Sequence, residues 1–453
     1  VEALAAIGLA VDPQELAFLL ISRAAIRSIF DLGRDSADVL EGEKTPDIEQ
    51  LTSQLPAYLS TDELYLDRKF LDQPADLPLV AELQKLFRFW LVGFGVPAVA
   101  ADTVTRRLPS YSVFALNDEW LQNSKQYQPL KEALDTPFVR ASERESAWSA
   151  YEALLKRRTE ESLFDAAFSL DQIFIPLNAY YFGKATRERG LDETTRLERR
   201  PRIVVPLHEE LANWAEANDE QDTLRVISGG PGSGKSSFAR IFASHLAAKN
   251  KRVLFIPLHQ IDAAADLVTE VARFVKAEGV LPHNPLDPDS PEANLIIIFD
   301  GLDELASQGK AAAQIARDFV NEVDRLLSQR NQQRIKLRIL ISGREVVVQE
   351  NESALRREKQ ILFLLPYFVS EEERKTYQDT ENVLKTDSRA QWWRTFGSLT
   401  GKKYEGLPGE VARDDLTEIT AQPLLNFLLA LSFGRGKINF SDSITLCDLS
   451  RFA

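Results

Sequence analysis

The run GGPGSGKS, Gly229 to Ser236, constrains this chain more than any other stretch. It satisfies G-x4-G-K-[ST] in full, and its flanks are those the pattern requires. A short strand, "LRVIS" at 224–228 with the apolar Val226-Ile227 within it, enters it, and "KSSFARIFASHLAAK" at 235–249 leaves it as a helix. Glycines let successive backbone N–H groups turn inward around phosphate oxygens, and the following helix adds its positive end. A chance match in a chain of this length is roughly a 1–2% event at ordinary residue usage. In this setting Gly229, Gly230, Pro231, Gly232, Ser233 and Gly234 form a phosphate cradle. Lys235 reaches the β/γ-phosphates, the Ser236 hydroxyl ligates Mg²⁺, and Ser237 completes the binding set in the first helical turn.

From residue 203 strands and helices alternate. "RVLFIPL" (252–258), "LIIIFD" (295–300), "LRILIS" (337–342) and "ILFLLP" (361–366) read as strands, separated by helices over 266–279 and 315–330. The 295–300 run is apolar until its last residue, as a strand covered on both faces should be. The succession predicts an α/β fold, a parallel sheet flanked by helices. Asp300 leaves its strand at the carboxyl end, expected beside the phosphate-loop strand, where it holds Mg²⁺ through water. Motor ATPases of the AAA+ class put a glutamate immediately after such an aspartate, to polarise the attacking water. Gly301 stands there instead, and the acidic pair comes later as Asp303-Glu304.

The pattern hhhhD-G-h-D-E in "LIIIFDGLDEL" resembles the NACHT family of signal-transducing NTPases, within the STAND class. "RILISGRE" (338–345) resembles the family's sensor strand, with Ser342 and Arg344 as its hydroxyl and arginine; Gly343 between them leaves open which faces the γ-phosphate. "ITAQPLLNFLLALS" (419–432) resembles the T-x-x-P-L-L motif of the helical subdomain, whose proline, Pro423, lies against the adenine and β-phosphate side. "IFIPLNAYY" (173–181) resembles an extended segment often found shortly before bacterial NACHT modules. The resemblance implies catalytic roles for Asp303, Glu304 and Arg344, nucleotide contacts from Ser342 and Pro423, and ATP/ADP with Mg²⁺ as cofactors. It also implies a slow switch. ADP holds the domains closed, and a sensed ligand permits exchange for ATP. The chain then self-associates and activates its N-terminal domain, in bacteria as antiphage innate immunity. The sensed ligand, for instance a phage protein, would meet C-terminal regions beyond this sequence. The rival is a conventional AAA+-like hydrolysing motor or chaperone ATPase, against which Gly301 speaks. No N/T-K-x-D guanine-reading motif is visible, which favours adenine.

The rest of the 453 residues sets the context. That length suggests two to four domains. Residues 1–182 read as a mainly helical effector or interaction domain, with helices over 12–30, 78–91 and 142–158 opened by Asp12-Pro13, Pro78 and Ser142. Histidine is absent before His208, which removes His-based acid–base or zinc chemistry there. The highly charged stretch 183–202 reads as a linker. The nucleotide-binding domain is expected over 203–366 and a helical subdomain over 367–436, with helix through 371–385. "DSITLCDLSRFA" (442–453), within 437–453, reads as the start of a winged-helix domain; no histidine follows the proline motif to reach the β-phosphate. A net charge of −14 argues against general nucleic-acid binding and against an anionic membrane surface. "FWLVGFGVPAVAA" (89–101) is too short for a span and is expected as a buried helix broken near Pro97. One cysteine, Cys447, and no basic segment before an apolar core predict a cytoplasmic setting.

Overall fold

Local sequence signals start the helices of the first unit. The computed structural model describes residues 12–37, 71, 74–134, 137–164, 166–184, 200–287, 290, 292–306, 310–344, 348 and 357–434. These form two compact units, the first running to Ile173 and including Glu278–Pro282 and Ser398–Lys402, the second opening at Phe174.

The first unit is helical: α1 (Pro13–Asp35), α2 (Pro78–Gly93), α3 (Ala98–Thr105), α4 (Leu108–Gln122), α5 (Gln128–Ala133), α6 (Pro137–Arg140), α7 (Glu143–Thr159) and α8 (Leu170–Ile173). Asp12 caps α1 by accepting from the Gln14 N–H at 2.9 Å, with Pro13 behind it at the first helical position. Ser142 and Glu145 form a reciprocal capping box on α7. The core gathers Leu16, Leu20, Ala24 and Leu32 of α1 with Tyr111, Ala115 and Leu116 of α4. The 89–101 run is two helices separated at Phe94–Pro97, as its proline predicts. Only one face of α2 is inside, however: Phe87, Trp90 and Leu91 are buried, while Phe89 is 77% exposed.

From Phe174 onward the described residues build an eight-stranded sheet. In chain order come β1 (Asn178–Phe182), β2 (Arg202–Pro206), α9 (Leu207–Glu216), β3 (Leu224–Ser228), α10 (Lys235–Ala248), β4 (Val253–Pro257), α11 (Leu267–Glu278) and β5 (Leu295–Asp300). They are followed by α12 (Leu302–Ala306), α13 (Lys310–Arg330), β6 (Leu337–Gly343), β7 (Ile361–Leu364), α14 (Glu371–Arg374), β8 (Tyr377–Gln378), α15 (Ser388–Thr400), α16 (Thr417–Ala421) and α17 (Pro423–Gly434). The order across the sheet is β4-β5-β6-β3-β7-β1-β2-β8. The five strands β4, β5, β6, β3 and β7 are parallel to one another, and β1 is antiparallel to both β7 and β2. Every residue of β3, β5 and β6 is buried; burial on both faces accounts for the apolar run of β5 up to Asp300, while β3 and β6 bury Arg225 and Arg338 among their apolar residues.

Three expectations are corrected. The Asp300 strand does not lie beside the phosphate-loop strand: β6 runs between β3 and β5, paired to both. Residues 178–182, expected in the helical domain, are a strand of this sheet, and the boundary at 203 cuts β2, which begins at Arg202. The aromatic residues of β1 and the β-branched Ile203, Val204 and Val205 of β2 suit a pleated strand between paired neighbours better than a helical bundle. Residues 371–385 are not one helix. They make one turn at Glu371–Arg374, the short strand β8 on β2, and a 3₁₀ turn at Val383–Lys385. Tyr377 sits edge-on to Tyr180 at 5.3 Å between ring centroids. The Asp379 carboxylate accepts from the Val383 and Leu384 N–H groups at 3.0 and 2.9 Å, satisfying donors that a helix would have used internally. The expected linker core, 185–199, and the segment 437–453 lie outside the described residues.

Among the described residues no single helix is long and apolar enough to cross a membrane. One pair, Asp414–Ala421 with Pro423–Gly434, reaches that length only jointly and is bent by 116°.

Candidate nucleotide-phosphate site

The site forms where three parallel strands end level. Ser228 of β3 is opposite Gly343 of β6, and Phe299 of β5 is opposite Ile341 of β6. Beyond β3 the chain turns through Gly229–Gly234 and enters α10, whose first-turn bond runs from the Phe238 N–H to the Gly234 carbonyl at 2.8 Å. Gly232 and Gly234 have φ of 72° and 90°, a region closed to most side chains. Gly229 is required for a different reason, since a Cβ there would stand 2.7 Å from Ser233 Oγ. The Oγ atoms of Ser228 and Ser233 are buried with no hydrogen-bond partner among the described residues. A buried hydroxyl left unpaired in a loop of amide donors fits an oxyanion ligand such as a phosphate.

Lys235 is buried, and its Nζ donates to the Gly229 and Gly230 carbonyls at 2.8 and 2.9 Å. Burial pulls its ammonium below the usual lysine range; Asp303 opposes that fall, Arg344 adds to it and Asp300 opposes it. These four charged side chains therefore share one electrostatic neighbourhood. Ser236 is exposed on the first turn of α10 and Ser237 half-buried. Pro231 is exposed at the loop tip.

Asp300 closes β5 as a buried carboxylate. Ser342, at 1% exposure, donates its Oγ–H to Asp300 Oδ1 and accepts the Gly301 N–H at 3.1 Å. Both bonds follow from β6 pairing directly with β5, which brings Ser342 to the end of the Asp300 strand. Ser342 is thereby committed to the Asp300 turn. Of the two sensor-strand residues, Arg344 is the exposed one, and its Nε pairs with Asp303 Oδ2 at 2.8 Å. Glu304 Oε2 lies 3.0 Å from His259 Nδ1. The acidic pair is thus split between two cations or donors.

Pro423 also reaches the loop. Its Cγ lies 3.5 Å from where a Gly234 Cβ would be, and the next residue, Leu424, donates its N–H to the Gly232 carbonyl at 3.1 Å. Leu177 Cδ1 stands 3.2 Å from the same Gly234 position. Sequence reasoning named Pro423 but not Leu424, Leu177 or His259. Leu424 follows the named proline and Leu177 lies within the "IFIPLNAYY" segment, whereas a lone histidine after a strand carries no signal of its own.

The residues fit Mg²⁺–nucleotide chemistry: amide and hydroxyl donors, one buried cation, an exposed Ser236 and the Asp300 carboxylate. Such an ion, when bound, neutralises charge on phosphate oxygens. Two family models match the chain, the NACHT N-terminal Helical domain 3 over residues 1–170 and the NACHT domain over residues 223–380. No curated protein matches it. Among solved structures, C. elegans PCH-2 is 17% identical with a TM-score of 0.21, over 32% of this chain and 40% of that one. The E. coli MS115-1 HORMA:CdnC:Trip13 complex is 14% identical with a TM-score of 0.30, over 62% of this chain and 95% of that one. Likenesses at that level say nothing of what this chain does. The two matched models, with the glycine loop and the D-G-L-D-E turn beyond β5, decide the matter: the chain belongs to the NACHT family of STAND-type P-loop NTPases.

Proposed function

We propose that this chain is a slow ATP/ADP switch that self-associates in its ATP state to activate the helical N-terminal domain. The observation that carries this reading is the contact of the phosphate loop with α17, through Leu424 N–H on the Gly232 carbonyl and Pro423 against Gly234. A change in what the loop holds can bias the position of that helix directly, which is what a two-state switch needs. Within this reading Lys235 exchanges its loop carbonyls for phosphate oxygens, and Ser236 and Asp300 hold Mg²⁺. Arg344 and Asp303 set the charge near the γ-phosphate, and Glu304 orients water. The proposed setting, bacterial antiphage defence triggered by a ligand bound elsewhere in the protein, rests on family resemblance. Sedimentation of the protein with ADP and with a non-hydrolysable ATP analogue, with and without the triggering ligand, tests the switch. ATP-dependent assembly supports it. Steady turnover of several per second without any change of state would favour the motor reading.

A separate expectation concerns Ser342. Ser342→Ala removes one bond to Asp300 and leaves the buried Gly301 N–H unpaired. It should weaken Mg²⁺-dependent ATP binding about tenfold, the worth of one charge-assisted bond, while Ser342→Thr restores it. Calorimetry with Mg²⁺ and with EDTA checks this, and a loss of equal size in EDTA would place the effect outside the Asp300 site.

A further inference from the structure

The D-G-L-D-E turn places a carboxylate where the sequence lacks one. Gly301 has φ of 94° and turns the chain, and the Glu304 N–H donates to the Gly301 carbonyl at 2.9 Å. Glu304 therefore folds back over the glycine. A Cβ built on Gly301 would lie 2.9 Å from Glu304 Cδ and 3.1 and 3.2 Å from its two oxygens. The Glu304 carboxylate thus occupies the start of the space that a side chain directly after Asp300 would fill.

A second element holds it there. β4 pairs with β5 with Pro257 opposite Asp300, and the chain then enters the 3₁₀ turn Leu258–Gln260. That turn carries His259 to the Glu304 carboxylate, Nδ1 to Oε2 at 3.0 Å. An ionised carboxylate only accepts hydrogen bonds, so Nδ1 carries the proton. The two side chains are 58% and 50% exposed, and an exposed pair of this kind contributes little to folding. Its consequence lies in orientation.

We propose that His259 is a positioning residue for hydrolysis. Its Nδ1–H holds the Glu304 carboxylate over Gly301, so that Glu304 acts from beside Asp300 in place of an adjacent glutamate. The proposal rests on the reading of Glu304 as the group that orients the attacking water, and the test separates the two. Steady-state ATP hydrolysis and ATP affinity are measured on the whole chain as wild type, His259→Ala, His259→Asn, Glu304→Gln and the His259→Ala/Glu304→Gln double variant. His259→Ala should lower kcat about three- to tenfold with KM and affinity unchanged, as expected for lost orientation alone. His259→Asn keeps a nitrogen donor near the Nδ1 position and should return kcat to within about twofold of wild type, because the donor, not the ring, is what positions the carboxylate. The double variant should be no slower than Glu304→Gln, because the two residues act through one group. Wild-type or faster turnover in His259→Ala, beside a slow Glu304→Gln, overturns the role of His259 alone. So does a loss confined to KM, or no rescue by asparagine. Wild-type turnover in Glu304→Gln overturns the reading of Glu304 and the proposal with it.

Discussion

Lys235→Ala is expected to cut the affinity for ATP and ADP by about 100-fold or more, the cost of one buried charged donor to phosphate. Lys235 is the buried cation of the loop, already desolvated and turned onto the Gly229 and Gly230 carbonyls. Much of the cost of taking its charge out of water is therefore met by folding, before any ligand arrives. The alanine variant also removes those two intraloop bonds, so a local change in the loop could mimic a binding defect. Lys235→Met loses the same two bonds but keeps the apolar stem that fills the loop. It should show the same loss with an unchanged melting curve, which rules out an unfolded loop as the cause. Calorimetric titration checks both, and wild-type affinity in Lys235→Met would mean that backbone amides alone hold the phosphates.

The second large effect concerns turnover. The Asp303→Asn/Glu304→Gln variant should lower kcat about 100-fold while ATP affinity stays within about threefold, because water-orienting carboxylates act mainly on the transition state. The two residues differ in their surroundings. Asp303 neutralises Arg344 at 2.8 Å and opposes the fall in the Lys235 ammonium, so its single variant should also raise the positive field at the loop. Glu304 lies against His259 and over Gly301 and, as the group read to orient water, should account for most of the kcat loss. Asp300→Asn should behave differently again, losing the Mg²⁺ dependence of binding itself, since Asp300 is the buried carboxylate at the strand end. In the switch reading, the slow double variant should accumulate oligomers once triggered. Turnover and affinity measured on the same preparations decide it; wild-type kcat would make the acidic pair a charged turn and nothing more.

What the sequence determined by itself is what consecutive residues must do together. The glycine loop is legible because its positive φ values, its strand before and its helix after are all local requirements of one short segment. The buried strand ending at Asp300 is legible because burial on both faces leaves an unbroken apolar run, and the helical first unit because caps and apolar spacing are local too. Strand order was not legible. Backbone hydrogen bonds between strands carry almost no side-chain signature, so nothing in "LRILIS" says that it separates β3 from β5. That placement decides what Ser342 does, since pairing directly with β5 brings its hydroxyl to both Asp300 and the Gly301 N–H at that strand's end. The charged run 371–385 failed as a helix because it has no apolar stripe to bury, and contacts with Tyr180 and the β2 edge won instead. His259, Leu177 and Leu424 reach the site from segments distant in sequence. Their roles exist only once the sheet has folded, because proximity through space is set by packing and topology rather than by any property of the residue read alone.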